Sequence, residues 1–176
     1  MTKTSLFILY VLLAFLVAGV FGAVHNQISY TISPEYFTKF KFEQFGLMNA
    51  AIPQRLRAAE VGFLASWWMG WPLGIFTGIA GVIHRDAATM RRALLWSIPV
   101  ICAFTLLFAL CGLVIGYFQT AHLNFANYST WYIPANLEQP RRFLCAEYMH
   151  NSAYLGGLLA IPVAWIFHFI FKQRTG

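Results

Sequence analysis

A chain of 176 residues that is 59% hydrophobic and only 10% charged, with mean hydropathy +0.61, has far fewer charges than the roughly 25% of a soluble domain. That excludes an ordinary water-soluble globule and points to an integral membrane protein. The net charge of +6 does not indicate nucleic acid, because the basic residues flank apolar runs and read as membrane anchors and topology signals.

In chain order, residues 5–24 are the first apolar run, about the 20 residues that a bilayer core needs. Lys3 ahead of it resembles the start of a signal peptide, but the run is read as a retained signal-anchor span. Residues 25–52 are amphipathic and aromatic. Pro34 should stop a helix arriving from upstream. Beyond it, Phe40-Lys41-Phe42-Glu43 alternates like a strand, whereas Phe37 and Phe40 fit a helix, so the periodicity leaves both open. Lys and Phe together place the segment at the lipid–water boundary.

Pro53 suits the first turn of a helix that continues into a second span, 61–83. Gly62, Ser66, Gly70, Gly74 and Gly78 recur every four residues there and form a small-residue stripe for close helix contact. Trp67, Trp68 and Trp71 lie off the stripe, facing lipid or a pocket, and Pro72 is a kink candidate. A third span covers 93–118, and a second long loop 119–150 carries His122, Trp131 and a sequon at Asn127. The fourth span, 151–171, has its own small-residue face. Cys102, Cys111 and Cys145 have neither metal-type spacing nor a disulfide pattern. The expected fold is an all-α, four-span membrane bundle, one domain over 1–176, with structured outer loops at 25–60 and 119–150.

Four spans put both termini on one side. Basic residues divide equally between the two sides, so the short turn HRDAATMRR, with three Arg, decides the orientation: termini and this turn in the cytoplasm. His25, Glu60, His122, Glu147 and His150 then gather at the outer face, with Glu35 and Glu43 in reach. Imidazole and carboxylate ligands suit Fe, Cu, Zn or Mn. The expectation is a metal site built from His25, Glu35, His122, Glu147 and His150, with Glu60 behind them. One Glu-x-x-His pair, Glu147 and His150, falls short of the two that a di-iron bundle uses.

Plainer roles stand beside this. Glu60 is spaced to pair with Arg57, and Glu147 lies near Arg141 and Arg142 and a helix start. Asn26, Gln27, Ser29 and Tyr30, and Asn151, Ser152 and Tyr154, either orient the imidazoles or satisfy backbone at the helix ends. A haem b is not expected, since no second deep histidine is placed to oppose His168.

The segment HNQISYTISPEYFT, with His-Asn-Ser-Ala-Tyr-Leu-Gly-Gly later, resembles a group of small four-span bacterial membrane proteins that have no assigned activity. Their segment after span one, His-Asp-Gln or similar, is followed by Glu-Tyr-Phe-Thr; the matching residues are His25, Asn26, Gln27, Glu35, Tyr36, Phe37 and Thr38. Asn26 stands where the pattern has Asp, removing one carboxylate. The resemblance implies the four-span architecture and a bacterial inner membrane, and no mechanism. The expected function is a metal-dependent membrane protein with its site at the outer mouth, acting on a lipid or quinone-like molecule. The alternatives are an accessory subunit of a larger complex, which an exposed glycine stripe would favour, and a binder of lipid or another hydrophobic ligand; the expected partners are membrane lipid and a larger membrane complex or a homo-oligomer.

Overall fold

The computed structural model describes residues 1–175, which contain helices and no strand. Helix α1 spans Lys3–Ile32 and is capped by the Thr2 side chain, which accepts from Ser5 N. It runs past the expected span without a break. Its outer part turns Gly22, His25, Asn26 and Ser29 inward, at the spacing of one helical face. It ends at Ser33, whose extended backbone is what a residue before proline adopts. Ser33 Oγ then accepts from Tyr36 N, and Pro34 opens the short helix α2, Pro34–Tyr36.

The ambiguous segment is helical throughout. A π-helical turn, Phe37–Lys41, leads into α3, Phe42–Gln44. Phe42 N donates to Phe37 O, so residues five apart face the same way. Phe37 and Phe42 are both buried, with ring centroids 6.1 Å apart. Phe40, half-buried, packs on Tyr36 beside them, so the residues that alternate like a strand lie on a helical turn.

Helix α4, Gln54–Ser66, is separated from α5, Gly70–Gly81, by a 3₁₀ turn over Trp67–Met69. Pro72 explains the interruption: it has no N–H for the carbonyl of Trp68, and its ring crowds that carbonyl. Helix α6, Ala87–Gln119, is capped by Asp86, which accepts from Thr89 N at 2.9 Å. Helix α7, Pro140–Thr175, starts well before the expected fourth span, so Glu147 and His150 sit within a continuous helix. Three helices, α1, α6 and α7, are long and apolar enough to cross a membrane. Leu12, Leu16, Leu107, Val114, Leu158 and Ile166 point outward, as a lipid-facing surface would.

The helices pack as two hairpins, α1 with α4 and α5, and α6 with α7. In lipid no hydrophobic force joins helices, so close van der Waals packing must. A Cβ on Gly22 or on Gly62 would land on the other's carbonyl oxygen, and one on Gly70 would meet the Ala14 backbone. Gly74 and Gly78 also lie against α1. The glycine stripe is therefore used up inside the molecule. Gly112 admits Ser152 and the Tyr148 backbone between α6 and α7 in the same way. The hairpins meet where Tyr10 Oη lies 3.1 Å from both Thr77 Oγ1 and Ser97 Oγ, and where Trp165 Nε1 donates to Phe76 O.

Over the end of the bundle that holds His25 and His150, expected to be the outer mouth, Tyr36, Phe37, Phe42, Val61 and Phe143 form a compact, largely aromatic cap. Each fully buried ring of this kind contributes roughly 1.5–3 kcal/mol, so the first outer loop is held firmly over the helix ends.

Candidate functional site

Helix α1 delivers His25 and α7 delivers His150 to the space under the cap. The two rings meet edge to face at 4.8 Å between centroids. Tyr36 from α2 stacks on His150 at 4.7 Å, and Phe21 lies along His25 at 6.2 Å. Both imidazoles are held by neighbours in α1. Asn26 Nδ2 donates to Ala58 O at 2.9 Å, which leaves Asn26 Oδ1 to accept from His25 Nδ1 at 3.4 Å. The proton of His25 is then on Nδ1, and Nε2 is a bare lone pair, buried and without a partner. Ser29 Oγ lies 3.5 Å from Asn26 O and 3.1 Å from His150 Nε2. If the hydroxyl donates to that carbonyl, His150 Nε2 carries a proton toward Ser29 and Nδ1 is the free lone pair. Of the polar residues flanking the two histidines, Asn26 and Ser29 orient the rings. Gln27 and Tyr30 bond instead to Arg55 O and Gln54, and Ser152 packs against Gly112.

A cavity of about 120 Å³ runs from this pair toward the middle of the bundle. His25, Asn26, His150 and Tyr154 line its outer end, and Ala14, Val17, Leu73 and Ile98 are among its apolar walls. Tyr10 and Thr77 lie on its wall farther in. A second cavity of about 200 Å³ adjoins it on the outer side and shares Asn26, Ala65, His150 and Tyr154. Trp68 lines that outer space, while Trp67 and Trp71 pack on Phe15 with much of their surface outward.

Glu147 lies above His150. It faces the hydroxyl of Tyr36, and its Oε2 is buried without a partner. Burial, and then the neighbouring Glu147, push the Tyr36 hydroxyl well above the usual tyrosine range, so it stays protonated. The expected pairing of Glu147 with Arg141 or Arg142 does not form: Arg141 donates instead to Tyr117 O and Thr120 Oγ1.

The remaining expected ligands lie elsewhere. Glu35 pairs with Lys39 at 2.6 Å and accepts from the backbone N–H groups of Glu138 and Gln139 at 3.0 and 2.7 Å. Burial opposes its ionisation, but these donors prevail and hold it below the usual carboxylate range. Glu35 is the clasp between the two outer loops. His122 is exposed in the second loop. Glu60 is exposed and has no ion pair with Arg57, which turns inward to Leu47 O and over the Phe42 ring. Among the described residues no group of three or more His, Cys, Asp or Glu is placed to hold a metal. Of the five predicted ligands, only His25, His150 and Glu147 are brought to one region.

At the inner end, His84 Nε2 and His168 Nδ1 are 2.9 Å apart, both rings buried, with the far nitrogen of each unpartnered. The expectation that no histidine opposes His168 is therefore corrected: the turn after α5 folds His84 onto it. The contact is a direct hydrogen bond. Two further features were not foreseen: the stacking of Tyr36 on His150, and the hydroxyl cluster of Tyr10, Thr77 and Ser97.

The fold and this cavity define a class, a helical membrane protein with a ligand-sized space reaching from one end into its core. Compared with known protein families, curated proteins and solved structures, the chain has no significant match.

Proposed function

We propose that the protein binds a membrane-soluble molecule bearing a ring-sized group with a hydroxyl, such as a phenol or hydroquinone, in the cavity below His25 and His150. The observation that carries this reading is the buried His25 Nε2, unpartnered, at the end of an apolar cavity. A buried acceptor left empty costs about 1–3 kcal/mol, and a hydroxyl donor on the ligand removes that cost. An apolar cavity of about 150 Å³ takes a benzene ring, so a space of about 120 Å³ suits one ring and not a whole lipid. The rest of the molecule stays in the bilayer or the outer cavity.

In this reading the chain crosses a bacterial inner membrane four times with both termini in the cytoplasm. Residues 54–81 supply the second crossing, about 42 Å at 1.5 Å per residue, enough for a core of about 30 Å. The accessory-subunit alternative loses its main support, because the glycine stripe is occupied by α1.

The test is titration of a short-chain hydroquinone into the purified protein in lipid nanodiscs, beside the double variant His25→Ala, His150→Ala. Saturable binding weakened at least tenfold in a variant that keeps its helical content is expected. Equal affinity in the two proteins overturns the reading.

A second reading is favoured by the contact between the two imidazoles. A transition metal, Fe, Cu, Zn or Mn, would be held by His25 and His150, with Glu147 nearest as a third ligand, and would serve redox or hydrolytic chemistry on a membrane-soluble substrate. Elemental analysis of protein prepared without chelator or a polyhistidine tag separates the two. About one equivalent of metal, lost in the double variant, selects the metal. Less than a tenth of an equivalent, with no uptake on metal addition, removes it.

A further inference from the structure

We propose that the molecule taken up at His25 and His150 carries a carboxylate head, and that the outer cavity around Lys41 receives it. This rests on the ring-binding reading of the site and adds its second half.

The two cavities adjoin. Asn26, Ala65, His150 and Tyr154 form walls of both, so a ligand with its ring in the inner space has the outer one at its other end. The chemistry differs sharply between them. The inner walls are largely apolar, whereas the outer walls add Lys41 and Gln44.

Lys41 is the only lysine or arginine on the outer wall. Its Nζ lies 4.1 Å above the Phe40 ring and 5.3 Å from that of Tyr36, and it donates to Gln44 Oε1 at 2.9 Å. These contacts hold an ammonium in place without neutralising it. Among the described residues the one ion pair within 4 Å is Lys39–Glu35, so Lys41 has no carboxylate in direct contact. Burial draws the Lys41 ammonium below the usual lysine range, with Glu147 opposing from a greater distance. A half-buried cation so placed gains from an anion that enters the cavity and bonds to it.

Glu147 also limits the charge of that anion. Its carboxylate acts on both Lys41 and Tyr36, so a doubly charged phosphate head would meet repulsion that a single carboxylate meets less of. A ring with a hydroxyl, a short spacer and a carboxylate matches the two spaces in order.

The probes are three matched compounds, a 4-hydroxyphenyl ring on a short spacer ending in a carboxylate, a neutral amide or a quaternary ammonium. Each competes with the hydroquinone on the full chain in nanodiscs. In the wild type the carboxylate is expected to bind about tenfold tighter than the amide, and the ammonium most weakly. Lys41→Gln should bring carboxylate and amide to equal affinity while leaving amide binding in place, which also shows that the variant is folded. Lys39→Gln should keep the preference. Equal binding of carboxylate and amide in the wild type overturns the head-group inference and leaves the ring site standing. Failure of the hydroquinone and all three probes to bind overturns both.

Discussion

Two histidines at the inner end show how much depends on single protons. His84 and His168 share one hydrogen bond, and the outer nitrogen of each ring is buried without a partner. His168→Leu removes that bond and leaves His84 unsatisfied, so a loss of about 1–3 kcal/mol is expected, read as a lower Tm in detergent. The pair also sets a pH dependence. Burial, then Lys172 and Lys3, hold His84 below the usual imidazole range, against Asp86. An unfolded chain takes up this proton near pH 6.5, the folded chain only at lower pH. The stabilisation is therefore complete above about pH 6.5 and declines as the pH falls from there toward the folded value. Between about pH 8 and pH 5 the wild-type Tm should fall, and His84→Asn should flatten the part of the profile due to this ring. Glu35 acts at the same scale. With Glu35→Ala the N–H groups of Glu138 and Gln139 lose their acceptor, and limited proteolysis should cut the second outer loop faster while the helices stay intact.

Helices could be read from the sequence where their pattern was local, and not where it depended on a neighbour. The apolar runs, the stop at Pro34 and the glycine stripe are properties of the residues themselves. The stripe has a sharp test. Gly22→Leu drives a side chain into the Gly62 carbonyl, and overpacking of this kind costs about 1–3 kcal/mol or more. Gly157→Ala meets only the end of Leu73 at 3.9 Å and should be tolerated. Thermal unfolding of the two variants side by side measures the difference. The π turn over Phe37–Lys41 was hidden because its five-residue spacing is longer than the 3.6-residue helical period and far from the two-residue period of a strand. The break over Trp67–Met69 was visible only as Pro72, since a proline does not announce whether it kinks a helix or divides it.

At the scale of the whole molecule, His25 and His150, read from the sequence to one face because each sits where an apolar run meets polar residues, come into contact. Glu35 and His122, grouped with them in the sequence, lie apart from that pair. Nothing local reveals that Glu35 is engaged by N–H groups about a hundred positions along the chain. Nor could spacing reveal that His84 folds back onto His168. The proposed four crossings make a direct prediction. In a cysteine-free background, Asn127→Cys should react with a membrane-impermeant maleimide added to intact spheroplasts, and Arg174→Cys should react only after lysis; the reverse pattern inverts the topology. The way the glycines are used also bears on how the chain is assembled as it is made. Every close glycine contact of residues 62–78 is to α1, which leaves the ribosome first. The glycine face of this segment offers lipid little to pack on, but its docking partner is already in the bilayer when it emerges. The first hairpin can therefore close before the second has been translated, and α6 and α7 arrive against a finished wall.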